Sequence, residues 1–185
     1  MQQKGMVWVI GASGGLGRAT AQAFAQNGWS VIAGARSFAA GTSPLGEGVT
    51  VLPLDVTSEE SCTAFVKKAL GMESRVDVLV CAAAQLVLGS CENTTVDELD
   101  RLLDVNVLGA VRMIQRALPL MRAQKSGKII LFSSINGLLG IPFQSAYTAS
   151  KHALEGYAEC LAMETADFGI QVCLVEPGDH RGGSQ

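Results

Sequence analysis

The sequence predicts an α/β fold, a doubly wound parallel sheet with helices on both faces, and three observations carry that reading. Short apolar runs alternate with helical patterns along the whole chain. The runs are continuously apolar rather than alternating, so each strand is covered on both faces, as in a parallel sheet. A glycine-rich turn joins the first run to the first helical stretch. Repeated strand–helix–strand units with right-handed crossovers then build a single layered domain.

In chain order, the first strand is MVWVI at 6–10, followed by the turn GASGGLG and a helix near 15–27. The second strand, SVIAGA at 30–35, leads into 36–48, RSFAAGTSPLGEG, which is too rich in glycine and proline for a crossover helix. A loop or one helical turn is expected there. The third strand is VTVLPL at 49–54, and a helix follows near 58–71, with Asp55 as a turn or cap candidate ahead of Thr57-Ser58-Glu59-Glu60. Strands at 76–81 (VDVLVC), 128–133 (KIILFS) and 170–175 (IQVCLV) are separated by helices at 95–124 and 145–168. No internal repeat or linker divides the chain, so residues 1–185 are expected to form one domain, with 179–185 as the start of a mobile loop.

Composition narrows the function classes. The 185 residues are 48% hydrophobic with a net charge of −3, which suits a soluble domain and offers no basic excess for nucleic acid. No apolar stretch reaches the roughly 18–20 residues that span a membrane, and MQQKGMVWVIGASGG enters a strand at once rather than forming a signal peptide. The cysteines (Cys62, Cys81, Cys91, Cys160, Cys173) show no paired spacing and lie mostly in apolar runs. Buried free thiols in a reducing cytoplasm are expected, with no metal site.

The turn after the first strand has the chemistry of a dinucleotide site in a Rossmann-like fold. Gly11 permits the tight turn, Gly15 lets backbone approach a pyrophosphate, and Gly17 allows close packing of helix on strand. The helix N-terminus adds partial positive charge for the phosphates. Ser13 and Leu16 share this turn as cofactor-binding candidates. A nucleoside-triphosphatase loop is excluded because Gly17-Arg18-Ala19 stands where Gly-Lys-Ser/Thr is required. At the end of the second strand, Ala35 occupies the position of a ribose-binding carboxylate and Arg36 follows it. A guanidinium there binds a 2′-phosphate, so NADP(H) is the expected cofactor, with NAD(H) as the alternative and a solvated surface arginine as the plain reading.

Tyr147 and Lys151, thirteen residues beyond Ser134, carry the candidate chemistry. Four residues apart on a helix, they project from one face. At ~4 Å and an effective dielectric of ~20, the lysine cation would favour the phenolate by about 4 kcal/mol, roughly three pKa units. That would bring the tyrosine toward neutral pH as a general acid or base. Ser134 would hold a carbonyl or alcohol oxygen beside it. On its own the Tyr-x-x-x-Lys pair is common on solvated helices.

Taken together, GASGGLG, Asp55-Val56, Asn106 in LDVNVLG, Ser134, Tyr147, Lys151 and Pro177-Gly178 resemble the short-chain dehydrogenase/reductase family, from about residue 5 to residue 178. The stretches LLDVNVLGAVRM and YTASKHALEG look most like its hydroxysteroid and retinol dehydrogenase branch. The resemblance implies an NAD(P)-dependent enzyme acting on a small carbonyl or alcohol substrate. Tyr147 would be the acid in reduction and the base in oxidation, and Lys151 would lower its pKa and bind the nicotinamide ribose. Ser134 would polarise the substrate oxygen, and Asn106 would position a water in a proton relay from Lys151. Asp55 would bond the adenine edge, Val56 would cover the ring, Ala82 and Ala83 would border the cofactor, and Pro177 and Gly178 would lie along the nicotinamide. A cytoplasmic homodimer or homotetramer is implied, paired through helices near 98–124 and 145–168.

Plainer readings stand beside these. Ser133 and Ser134 could be strand-end hydroxyls, Asn106 a self-bonded helix residue and Asp55 a turn or cap. His152 lies ~100° around the helix from Lys151 and is not read as the base. Leu86, Leu88, Leu138, Ile141 and Phe143 line an apolar pocket or belong to the core. The chain departs from the family twice. Cys81-Ala82-Ala83-Ala84 replaces Asn-Asn-Ala-Gly, which is expected to weaken the cofactor site without removing it. The C-terminal substrate lid and the last strand are not present in these residues, so the chain is either naturally short or stops where a flexible segment begins. A non-catalytic dinucleotide-binding or interaction protein of the same fold is the alternative function.

Overall fold

Strands β1 (Met6–Ile10), β2 (Ser30–Ala35), β3 (Val49–Pro53), β4 (Val78–Cys81), β5 (Gly127–Phe132) and β6 (Ile170–Val175) pair in parallel throughout, in the order β3-β2-β1-β4-β5-β6. The order reverses between β1 and β4, and that switch point is where open α/β sheets bind ligands at the carboxyl ends of their strands. The structure, a computed structural model, describes residues 4–39 and 44–179. Within them the strands fall within two residues of the sequence expectation.

Burial explains the apolar runs. Every residue of β1 and β4 is buried. Met6, Trp8 and Ile10 join one apolar cluster, while Val7 and Val9 join a second. Successive side chains of a strand point to opposite faces, so the two clusters are the two sides of the sheet. The first cluster takes Phe65 from α2 (Glu59–Met72), Met113 and Ile114 from α4 (Gly109–Gln124), and Leu154 from α5 (Ser145–Thr165). The second takes Ala21 from α1 (Gly15–Gln26). Trp8 meets Phe65 edge to face at 6.0 Å.

Helix starts follow local chemistry. Ser58, not Asp55, caps α2, its side chain accepting from the Ser61 amide. Thr95 and Glu98 form a reciprocal capping box at the start of α3 (Val96–Leu103). The expected single helix over 95–124 is interrupted by a π turn at Asp104–Leu108. There the Gly109 amide bonds the Asp104 carbonyl five residues back. The extra residue turns Asn106 inward, leaving it only 2% exposed.

Between β2 and β3 the described residues are turn and irregular backbone, as expected; 40–43 lie outside the described residues. So do 180–185, which hold most of the expected tail loop. The cysteine expectation needs correction. Cys62 and Cys81 are buried free thiols, but Cys91 and Cys160 are exposed and Cys173 is half-buried. Cys91 lies in the turn ahead of α3, and Cys160 lies on the outward face of α5. Among the described residues no helix is long and apolar enough to cross a membrane.

Candidate active site

The first wall of the site is the glycine turn. Gly11 has φ +88°, and a Cβ there would lie 2.4 Å from the Ala83 amide nitrogen. Gly17 sits equally close, its would-be Cβ 2.3 Å from the Gly11 carbonyl oxygen and 3.3 Å from the Ala82 Cβ. Glycine is therefore required where β1 turns against the end of β4. The α1 N-cap is Gly14, which supplies no side-chain acceptor, so the first-turn amides remain available to an anion. Ser13 is exposed beside them, and Gly15 and Leu16 are half-buried. A tightly packed glycine turn opening onto uncapped amides fits a dinucleotide pyrophosphate.

The turn is tied to the next strand by the Gly11 and Ala12 amides, which donate to the Gly34 carbonyl at 2.8 and 3.2 Å. That brings it beside Ala35 and the exposed Arg36. Asp55, after β3, uses one oxygen in a local turn, accepting from the Thr57 amide at 3.0 Å and the Thr57 hydroxyl at 2.7 Å. Those bonds hold its carboxyl below the usual range, with smaller help from the Arg36 and Arg112 charges. Arg36 therefore faces the same end of the site as Asp55. Val56, beside it, is buried and seats on Gly109, where a Cβ would be 2.7 Å from the Val56 Cγ2. In the Cys81–Ala84 segment, the Ala82 amide bonds the Ile10 carbonyl at 2.8 Å. Ala82 and Ala83 are half-buried against the glycine turn, while Ala84 is exposed.

The second wall forms where β5 ends and α5 begins. Ser134 follows β5 and is 8% exposed. Its hydroxyl lies close enough to the Tyr147 hydroxyl to favour the phenolate. It also donates to the Asn136 Oδ1 at 3.3 Å and accepts from the Asn136 amide at 3.2 Å. Pro177 reaches the same turn, its carbonyl accepting from the Ile135 amide at 3.1 Å, with Gly178 next in the chain. His152 is exposed, one ring nitrogen at the Thr148 carbonyl, outside this cluster.

Lys151 does share the helix face of Tyr147, with its Nζ 5.5 Å from the tyrosine ring centroid. The expected lowering of the tyrosine does not appear, however. Burial pushes the Tyr147 phenol above its ordinary value, and the nearby Ser134 hydroxyl offsets only part of that. Burial also lowers Lys151 to about 8, against a smaller upward pull from Glu155. The ammonium is spent on the Phe132 carbonyl at 2.6 Å rather than on the phenol oxygen. The helical spacing sets the shared face, but it does not set the depth at which both groups sit.

Asn106 holds the two walls in register. Its Oδ1 accepts from the Gln85 amide at 2.7 Å, and its Nδ2 donates to the Gln85 carbonyl and to the Ser150 Oγ, both at 3.0 Å. Ser150 in turn donates to the Tyr147 carbonyl at 2.7 Å. The side chain thus serves the exit of β4 and the first turns of α5, and is not bonded to its own helix.

Sequence reasoning missed Asn136, Gln85, Ser150 and Arg112. Asn136 is 4% exposed, and its Nδ2 donates to Gln144 at 3.1 Å and Thr148 at 3.0 Å. An asparagine two residues after a candidate serine was the available signal. The open choice for the apolar residues is resolved toward the surface: Leu86, Leu88, Leu138 and Phe143 are 49–67% exposed, and Ile141 is half-buried. They border the mouth between the Gln85 and Gln144 loops, which are joined by the Gly89 amide donating to the Phe143 carbonyl at 2.9 Å.

Comparison with known proteins gives a consistent assignment. The short chain dehydrogenase family model matches residues 5–182. A 3-ketodihydrosphingosine reductase of Bacteroides thetaiotaomicron is 39% identical over 98% of this chain and 66% of its own length. Human 17-beta-hydroxysteroid dehydrogenase type 1 is 44% identical over 69% of this chain and 38% of its own. Human retinol dehydrogenase 8 is 40% identical over 76% of this chain and 44% of its own. The chain therefore spans about two thirds or less of these relatives. The crystal structure of a short-chain dehydrogenase from Streptomyces avermitilis, 37% identical, superposes with a TM-score of 0.90 over 98% of this chain and 68% of that one.

Proposed function

The chain belongs to the short-chain dehydrogenase family, and on that premise we propose that it is an NADP(H)-dependent oxidoreductase interconverting a ketone or aldehyde with an alcohol. The observation that carries this reading is the convergence of the Ser134 and Tyr147 hydroxyls beside Lys151, at strand ends that also carry the glycine cradle. The bound dinucleotide would supply the hydride. Gly11, Ser13, Gly15, Leu16 and Gly17 would hold its pyrophosphate. Asp55, Val56, Ala82 and Ala83 would border the adenosine, with Arg36 on the 2′-phosphate, and Pro177 and Gly178 would flank the nicotinamide.

In reduction, Ser134 holds the substrate oxygen and Tyr147 gives it a proton; in oxidation Tyr147 takes that proton back. Burial that keeps Tyr147 in its phenol form suits the acid role. Lys151 replaces the lost proton, with Asn106 shaping the path by which solvent restores it. The exposed Leu86, Leu88, Leu138 and Phe143 favour an apolar carbonyl compound. That fits relatives named for a ketosphingoid, a hydroxysteroid and retinol. A homodimer or homotetramer in the cytoplasm fits the exposed Leu108, at the end of the π turn, and Met163 on α5, together with the free thiols.

NADPH titration followed by fluorescence, then turnover of a panel of apolar ketones and aldehydes, tests the proposal. Wild type should bind NADPH and oxidise it with at least one carbonyl. Tyr147→Phe should bind equally well and lose turnover by at least 100-fold. Retention of full activity by that variant removes Tyr147 from the chemistry. Arg36→Ala should weaken NADPH far more than NADH, and equal losses would show that Arg36 does not read the phosphate.

A further inference from the structure

Arg112, on the second turn of α4, joins three chain segments that the mechanism leaves separate. Its Nη1 donates to the Val56 carbonyl at 3.0 Å and to the Asp104 carbonyl at 3.5 Å, and its Nε donates to Glu59 Oε1 at 3.0 Å. The Asp104 carboxylate adds an ion pair to the same Nη1 at 2.7 Å. The Arg112 side chain is 17% exposed and its bonds to the Val56 and Asp104 carbonyls are part-buried, whereas Glu59, 68% exposed, meets water. Asp104 is the residue that opens the π turn, and its carbonyl already accepts the Gly109 amide that defines the turn. Arg112 is the second donor on that oxygen. The same Nη1 fixes the backbone of Val56, whose side chain is braced from behind by Gly109.

We propose that Arg112 is a positioning residue that ties the adenine wall at Val56 to the π turn carrying Asn106, so that filling the adenine pocket tightens the turn. The inference rests on the dinucleotide reading above. Nη1 alone bridges the Val56 and Asp104 carbonyls while Nε holds Glu59 and aims the fork; a lysine ammonium is a single point and keeps the bridge only by giving up that anchor. Arg116 supplies the internal control. It bonds the Glu59 carboxylate at 2.5 Å and the Thr63 hydroxyl at 3.2 Å, but neither Val56 nor Asp104. A merely stabilising role of the α2–α4 ion pairs would make the two arginines equivalent.

The test uses the full chain with ADP, which carries only the adenine end of the cofactor, and with nicotinamide mononucleotide, which carries only the other. ADP affinity and amide hydrogen exchange at 104–109 would be measured for wild type, Arg112→Gln, Arg112→Lys and Arg116→Gln. The proposal expects ADP to slow exchange at 104–109 in wild type. Both Arg112 variants should lose about tenfold in ADP affinity, with nicotinamide mononucleotide unaffected. At saturating ADP they should also lose the slowed exchange, whereas Arg116→Gln keeps both properties. Should Arg112→Gln fail to fold, the lysine variant carries the same comparison. Wild-type affinity and protection in the Arg112 variants, or equal losses in Arg116→Gln, overturn the inference and leave the dinucleotide reading intact. No ADP or NADPH binding by wild type overturns both.

Discussion

Lys151 should make the folded protein less stable at neutral pH than its packing allows, and replacing it with Met should reveal by how much. The side chain is 2% exposed, and burial lowers its pKa from 10.5 to about 8. At about 1.36 kcal/mol per pH unit, that difference corresponds to roughly 3 kcal/mol. The sign follows from proton counting. Between about pH 8 and 10.5 the unfolded chain keeps the lysine proton that the folded chain has lost, so stability rises with pH through that window. Below pH 8 both states hold the proton and the full penalty stands. Tyr147, Tyr157 and Cys81 have raised folded pKa values, the last to about 12. Their contributions fall as pH rises, but both proteins share them. The bond from Lys151 to the Phe132 carbonyl adds an offset that moves the whole difference without tilting it. Urea denaturation of wild type and Lys151→Met at pH 7, 8, 9 and 10 is the assay. Relative to the variant, wild type should gain roughly 2–3 kcal/mol across the series, a midpoint change of about 1 M or more. Parallel curves from pH 7 to 10 would refute the reasoning, because they would mean the lysine is not desolvated in the folded state.

Three further outcomes are expected. Gly11→Ala combines positive φ with a Cβ 2.4 Å from backbone, so it should cost about 2–5 kcal/mol and lower the melting temperature by roughly 10 °C in a thermal scan. Asn106→Ala leaves the Gln85 backbone and the Ser150 hydroxyl without their partner; chemical denaturation should show a loss of about 2–4 kcal/mol, and turnover should fall with it. Thr95→Ala breaks the capping box of α3, for about 1 kcal/mol by the same assay, with NADPH affinity unchanged.

The sheet was legible because burial on both faces writes itself as unbroken apolar runs, and the glycine turn because close approach forbids a Cβ. Spacing alone could place Tyr147 and Lys151 on one face of α5. It could not show that both groups are buried, so that burial raises Tyr147 and lowers Lys151. The π turn was equally hidden, since Asp-Val-Asn-Val-Leu suits an ordinary helix and nothing local announces a five-residue bond. Leu86, Leu88, Leu138 and Phe143 stayed undecided because apolar type is shared by core and binding rim; only exposure separates them. Asn136 and Arg112 went unnoticed for a common reason. Their importance lies in partners that are 2 to 56 residues away along the chain, and only folding brings those partners together.

The π turn also governs which changes of length this protein could accept in evolution. It is a one-residue insertion hidden within an otherwise continuous helical segment. Removing a residue between 104 and 108 would let α3 and α4 fuse into a regular helix, a locally favourable repair. The same repair would swing Asn106 by about 100° away from Gln85 and Ser150. A deletion scan of this segment should therefore recover folded chains that have lost function, whereas deletions elsewhere in α3 or α4 should damage the fold first.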